Sequence, residues 1–152
     1  MAKNGFSMSN RVAVEQITAD KTLTVNDCGK TFIVDSVTQG SAVDITMPNR
    51  ATAEEGWNAT FIMESGSGAG AASQNVVWTG SVGDSSGSPF VVLGQNLTTN
   101  GSDGVSDSAA TVTVPGTTLQ NGDVVKLTMA SGALTGNIWY VEAITSGSIT
   151  TT

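Results

Sequence analysis

The 152-residue chain carries 13 acidic and six basic side chains and no histidine, a formal charge of −7. It therefore lacks the commonest general base and transition-metal ligand, and its acidity excludes the broad basic footprint that a phosphate backbone requires. Charged residues make up only 12% and apolar residues 39%, while Ser and Thr supply a quarter of the chain; this predicts one folded β-rich domain under a neutral, hydroxyl-covered surface.

The first sixteen residues contain no apolar run of signal-peptide length, and no stretch approaches the ~18 apolar residues that span a bilayer. The expectation is a protein made in a cytoplasm, with no membrane or nucleic acid among its partners. Residues 1–17 read as an extended arm anchored by Phe6 and Met8 and ending in a strand. Alternation there puts Val12 and Val14 on one face, and Leu23 and Val25 share a face in the next strand, residues 21–26. Period-two patterns follow at 31–37, 42–47, 58–64, 75–79, 90–93, 110–114, 123–129 and 137–144. Turn chemistry separates them at Asn26-Asp27-Cys28-Gly29, Gln39-Gly40-Ser41, Pro115-Gly116, Asn121-Gly122-Asp123 and Ser131-Gly132. A short helix is predicted over 51–55, where Thr52 to Glu55 has the form of a capping box and Gly56 supplies a stop. Small-residue runs at 65–73, 83–88 and 98–108 read as long exposed loops. The pattern predicts an all-β fold, an antiparallel β-sandwich or jelly-roll-like barrel of about ten short strands. Residues 18–152 form its single domain.

Chemistry-bearing clusters are sparse. Asn100, Asp103 and Asp107 offer oxygen ligands within eight residues, but without the order or the closing bidentate Glu of a calcium loop, so a solvated turn is expected. Glu54 and Glu55 fit a helix start, where carboxylates oppose the dipole, better than a glycosidase pair. Gly66, Gly68 and Gly70 lack the Lys-Ser/Thr ending of a phosphate loop. Cys28 is the only cysteine, so no intrachain disulfide forms, and a small buried residue is expected there. Trp78 and Phe61 are expected in the core. Trp139 and Tyr140, adjacent on a strand, point to opposite faces and mark a candidate subunit interface. No enzyme activity, metal or cofactor is expected.

Three segments carry a resemblance. They are Thr22-Leu-Thr-Val-Asn-Asp27-Cys-Gly29-Lys-Thr-Phe32-Ile-Val-Asp35, then Val43-Asp-Ile-Thr-Met-Pro48 leading through Gly56-Trp57 to Phe61-Ile62, and Gly136-Asn-Ile-Trp139-Tyr-Val141. In order, they resemble a pattern of tailed-bacteriophage virion structural proteins, most closely head decoration (cement) proteins and also β-modules of tail fibres. That pattern has an L-T-x-x-D-x-G-K-x-F hairpin, an I-T-L-P strand, a crossover, an F-x-F-I strand and a closing W-Y-V strand; here Met47 replaces Leu, and Cys28 stands where Ser or Ala is common. The resemblance covers about two-thirds of the chain and is weaker over residues 65–108. It implies an oligomerising β-fold, often a trimer, on the virion surface, and it transfers no catalytic residue. The expectation is a homotrimer on the outer capsid surface that bridges major capsid proteins, with Phe6, Met8, Arg11, Val12, Val14 and Ile17 as the capsid-binding arm. The alternative is a tail-fibre or tailspike module for host glycan binding or tail attachment. A surface-layer or pilin-like protein fits the Ser/Thr/Gly bias less well, because such proteins usually bring a signal peptide.

Overall fold

Alternating buried and exposed side chains build twelve strands among the residues described in the computed structural model, 13–66, 73–81, 90–93, 106–132, 136–147 and 149–151. In chain order they are β1 (Val14–Ile17), β2 (Lys21–Thr22), β3 (Thr31–Asp35), β4 (Val43–Thr46), β5 (Asn58–Glu64), β6 (Val76–Thr79), β7 (Phe90–Leu93), β8 (Ser106–Ala109), β9 (Thr111–Val114), β10 (Val124–Gly132), β11 (Gly136–Ile144) and β12 (Thr150–Thr151). They form a sandwich of two sheets. Sheet A has the order β1-β3-β5-β10-β11-β7-β8, and sheet B the order β12-β9-β6-β4-β2.

The first six strands alternate between the sheets, and within each sheet they are parallel: β1, β3 and β5 in A, and β2, β4 and β6 in B. This part of the chain is a flattened coil of three turns. Each turn lays its inward side chains beside those of the turn before. One inward column of sheet A runs Glu15, Phe32, Phe61 and Val125, and the matching column of sheet B runs Lys21, Ile45, Trp78 and Val112. The remaining strands close the sandwich with antiparallel pairs, except that β7 runs parallel to β11. The long β10–β11 hairpin joins β5 to β7, and β9 joins β6 to β12.

Aromatic rings link the two sheets. Phe32 and Phe61 stack at 5.3 Å between centroids, and Phe61 meets Trp78 edge-on at 5.5 Å. All three are fully buried, as expected for Phe61 and Trp78. A second pair, Trp57 and Trp139, meets edge-on at 5.1 Å.

Five expectations are corrected. The sandwich is all-β, but its pairing is mixed, because successive strands cross between sheets instead of returning as hairpins. The Asp27-to-Lys30 turn accordingly links β2 in sheet B to β3 in sheet A. Residues 51–55 form no helix. Asn49 takes the cap instead: its carbonyl accepts the amides of Thr52 and Ala53, its side chain accepts the Ala51 amide, and the chain turns once before Trp57. Residues 106–109 form β8 where a loop was expected, and Ser131-Gly132 lies inside β10, paired with Asn137 and Gly136. The expected loop at 83–88 lies outside the described residues, as do most of 65–73 and 98–108. Finally, β1 is a member of sheet A, so residues 14–17 belong to the domain and not to an arm.

Phe61 joins both sheets at the centre of the core, whereas Val14, 62% exposed, touches little. Phe61→Ala is expected to cost about 3–5 kcal/mol, and Val14→Ser less than about 0.5 kcal/mol. Urea titration checks this through the midpoints at unchanged slope; equal shifts for the two variants contradict the placement of the core.

Candidate functional site

β1 is the edge strand of sheet A. The Thr31 amide donates to the Ala13 carbonyl, and Val14 and Gln16 lie opposite Thr31 and Ile33 in the parallel register. In such a ladder alternate residues bond to the neighbour, so the backbone groups of Ala13, Glu15 and Ile17 face β3. Those of Val14 and Gln16 face away. Among the described residues no strand pairs with that outer side. The result is a short row of outward donors and acceptors with an exposed valine beside it, a template for strand addition.

Beneath this edge the first turn of the coil ends the core with charge. Glu15 occupies the column position of Phe32 and Phe61, and Lys21 that of Ile45 and Trp78. Lys21 Nζ donates to Glu15 Oε1 at 2.5 Å, and Lys30 Nζ donates to Glu15 Oε2 at 3.1 Å and to Asp27 Oδ1 at 2.6 Å. Both ammonium groups lie over the Phe32 ring, at 5.7 and 6.0 Å from its centre. A fourth turn is thereby refused: an apolar coil stacked here would strand these charges away from water.

The same cluster gives the Leu23-to-Phe32 motif a physical meaning. Thr24 donates to Asp27 Oδ2 through its amide and its hydroxyl, which closes the 3₁₀ turn Val25–Asp27. Gly29 follows at φ 77°, a conformation that side chains with a Cβ rarely adopt. That turn aims Lys30 back at Asp27 and Glu15 and delivers Phe32 beneath them. Leu23, Thr24, Asp27, Gly29, Lys30 and Phe32 thus form one device, a salt-bridged lid on an aromatic column.

Hydrogen bonds from Lys21 and then Lys30 hold the Glu15 carboxyl below its ordinary range. Burial pushes the Asp27 carboxyl up, but donation from Lys30 and Thr24 outweighs it, and the net direction is down. Lys30 is raised by Asp27 and Glu15.

The site residues expected from sequence fall into three groups. Phe6, Met8, Arg11 and Val12 lie outside the described residues. Val14 is on the exposed side of the edge strand, but Ile17 is 2% exposed and belongs to the core. The strand faces the other way from the one its valines indicate, because pairing with β3 turns Glu15 and Ile17 inward. Val25, expected to share the inward face of Leu23, is 43% exposed because the 3₁₀ turn rotates it out. Trp139 is fully buried against Trp57 and so is removed as a subunit contact; Tyr140, on the opposite face, is half-buried.

Cys28 is exposed, contrary to expectation. It sits on the rim of a cleft of about 390 Å³ with Val25, Thr52, Glu54, Glu55, Gly56 and Trp57. The fold thus brings the thiol to the two carboxylates that sequence treated separately. Among the described residues no group of three or more carboxylate or thiol side chains could hold a metal ion.

The chain matches no protein-family model, and no curated protein matches it.

Carboxyls whose folded pKa is depressed stabilise the fold above their unfolded values, and that stabilisation is lost as pH falls through the folded values. Stability is therefore expected to drop as pH falls below about 4.5, the ordinary Glu value. Glu15→Gln is expected to lower Tm by about 1–3 °C at pH 7 and to flatten the acid limb. Thermal melts from pH 6 to pH 3 check this, and identical acid slopes for both proteins contradict the lid.

Proposed function

We propose that this chain is a head decoration protein of a tailed bacteriophage. It binds the outer face of the shell as a trimer and bridges major capsid proteins. The observation that carries the proposal is the open outer edge of β1, closed beneath by the charged lid so that the strand cannot be covered by a further turn of its own coil.

Strand addition to that edge supplies main-chain hydrogen bonds without demanding a particular partner sequence. Each contact contributes little. Several contacts made by one trimer act at high effective concentration, which suits a protein that must hold many sites on a shell under internal pressure. One outward row supports the same reading: Thr22, Thr46, Thr79 and Thr111 align across β2, β4, β6 and β9, a neutral hydroxyl row on a surface repeated over the particle. The acidic balance opposes direct contact with the packaged nucleic acid.

The glycan-binding tail-fibre reading draws less support. Sugars stack on exposed aromatic rings, and six of the eight aromatic residues, Phe32, Trp57, Phe61, Trp78, Phe90 and Trp139, are buried in the core.

Gln16→Pro separates the edge from the fold. Its amide faces away from β3, so proline removes an outward donor and leaves the β1–β3 ladder in place. The wild-type chain is expected to saturate phage heads that lack a decoration protein. The variant, with an unchanged melting curve, is expected to bind about tenfold more weakly. Counting bound copies by gel densitometry checks this; absence of wild-type binding, or equal binding by both chains, sinks the proposal.

A further inference from the structure

The outer face of sheet A carries an apolar row. Strand registers place Ile33, Ile62, Val124 and Ile144 side by side across β3, β5, β10 and β11. The first three are half-buried among their neighbours, and Ile144 is 68% exposed. At roughly 4.8 Å per strand the row is about 14 Å long. Single exposed apolar residues are ordinary, but an aligned row on one face forms a patch of the kind that meets a partner. Thr31, Thr60, Lys126 and Glu142 make the next row on one side, and Asp35 and Glu64 stand on the other.

Charge selects the partner. Lys126 and Glu64 are exposed and lie on the neighbouring strands β10 and β5, on opposite sides of the row. Within one chain about 14 Å of strand separates them, too far for contact. Lys126 stands opposite Glu142 in the register, yet among the described residues no ion pair joins those two. We infer that a second copy of this chain packs face to face on sheet A about a twofold axis that runs along the apolar row. Each residue of the row then meets its own counterpart. The rotation exchanges the two sides of the row, so Lys126 of each copy comes beside Glu64 of the other.

A twofold axis along the strands, between β5 and β10, also superposes the row on itself, with Ile62 over Val124 and Ile33 over Ile144. It sets Lys126 over Thr60 and gains no ion pair. The axis along the row gains a symmetric pair of them, and it sets Asp35 over Thr31. Sheets packed face to face lie ~10 Å apart, a gap that a lysine and a glutamate side chain span together. The four strands and the rows on either side of the apolar one cover roughly 400 Å² per copy, about half of a standard interface. The contact is therefore weak between free copies and gains strength where copies are held side by side. It does not rest on capsid decoration. Under that reading it joins neighbouring trimers and leaves the β1 edge for the shell.

The test measures self-association of the full chain by sedimentation equilibrium at low salt, without capsids. The mass of the wild-type chain is expected to rise with concentration. Lys126→Glu or Glu64→Lys alone sets like charges together across the axis and is expected to weaken the association about tenfold. An equimolar mixture of the two variants is expected to regain the wild-type affinity, because the acid placed at 126 in one chain meets the lysine placed at 64 in the other. A loss caused by damage to the fold is not repaired by mixing. Ile144→Ser, at an exposed position, is expected to weaken association about tenfold as well. A wild-type mass independent of concentration, a mixture as weak as its components, or an unchanged affinity for any of the three variants overturns the inference. Association that passes these tests in a chain that binds no phage head leaves the inference standing and sinks the decoration reading alone.

Discussion

Glu15 and Lys21 stand where the later turns of the coil place Phe32 and Ile45, then Phe61 and Trp78, and that exchange of charge for apolar surface decides how the molecule ends. A coil of parallel strands has no intrinsic stop, since each turn presents an edge and an apolar layer to the next. Here the last layer is an ion pair laid over an aromatic ring, with Lys30 and Asp27 completing it. The pairs are part-exposed, so each contributes little stability. Their larger effect is on specificity, because a layer of paired charges tolerates water and resists burial under another apolar turn.

The remainder of the core depends on that closure. Phe32 is fully buried, with the two lysines over its ring. It stacks on Phe61, and Phe61 abuts Trp78 across the sandwich. The arrangement carries a cost: among the described residues no acceptor meets the buried indole N–H groups of Trp78 and Trp139. Trp57 avoids that cost by donating to the Val25 carbonyl, which ties the β4–β5 connection to the 3₁₀ turn beside the lid.

Much of the fold was legible in the sequence, because period-two alternation survives wherever one face is buried. Ten strands were expected and each is present within a few residues. β8 and β12 were missed because Ser106, Asp107 and the Thr150-Thr151 pair carry no apolar alternation; neighbouring strands hold them. Parallel pairing was not legible. It is a relation between Phe32 and Phe61, or Ile45 and Trp78, residues some thirty positions apart in loops of unequal length, and those lengths hide the internal repeat. The lid was half legible: its residues stand out in the sequence as a motif, but their spacing does not reveal that Lys30 reaches both Asp27 and Glu15. The signal was a charge, Glu15 or Lys21, at the inward parity of a strand. Val12 and Val14 drew attention to the wrong face, since two valines outweigh one glutamate in any alternation rule, while the register against β3 decides the matter.

The central claim is that the first turn closes the core while leaving the β1 backbone open to a partner. Hydrogen exchange resolved to single amides tests it most directly. In the isolated protein the Glu15 and Ile17 amides should be protected by β3 while those of Val14 and Gln16 exchange within seconds, and both outward amides should become protected on assembled particles. Slow exchange at Val14 and Gln16 in the isolated protein, or fast exchange that persists on the particle, would contradict the account.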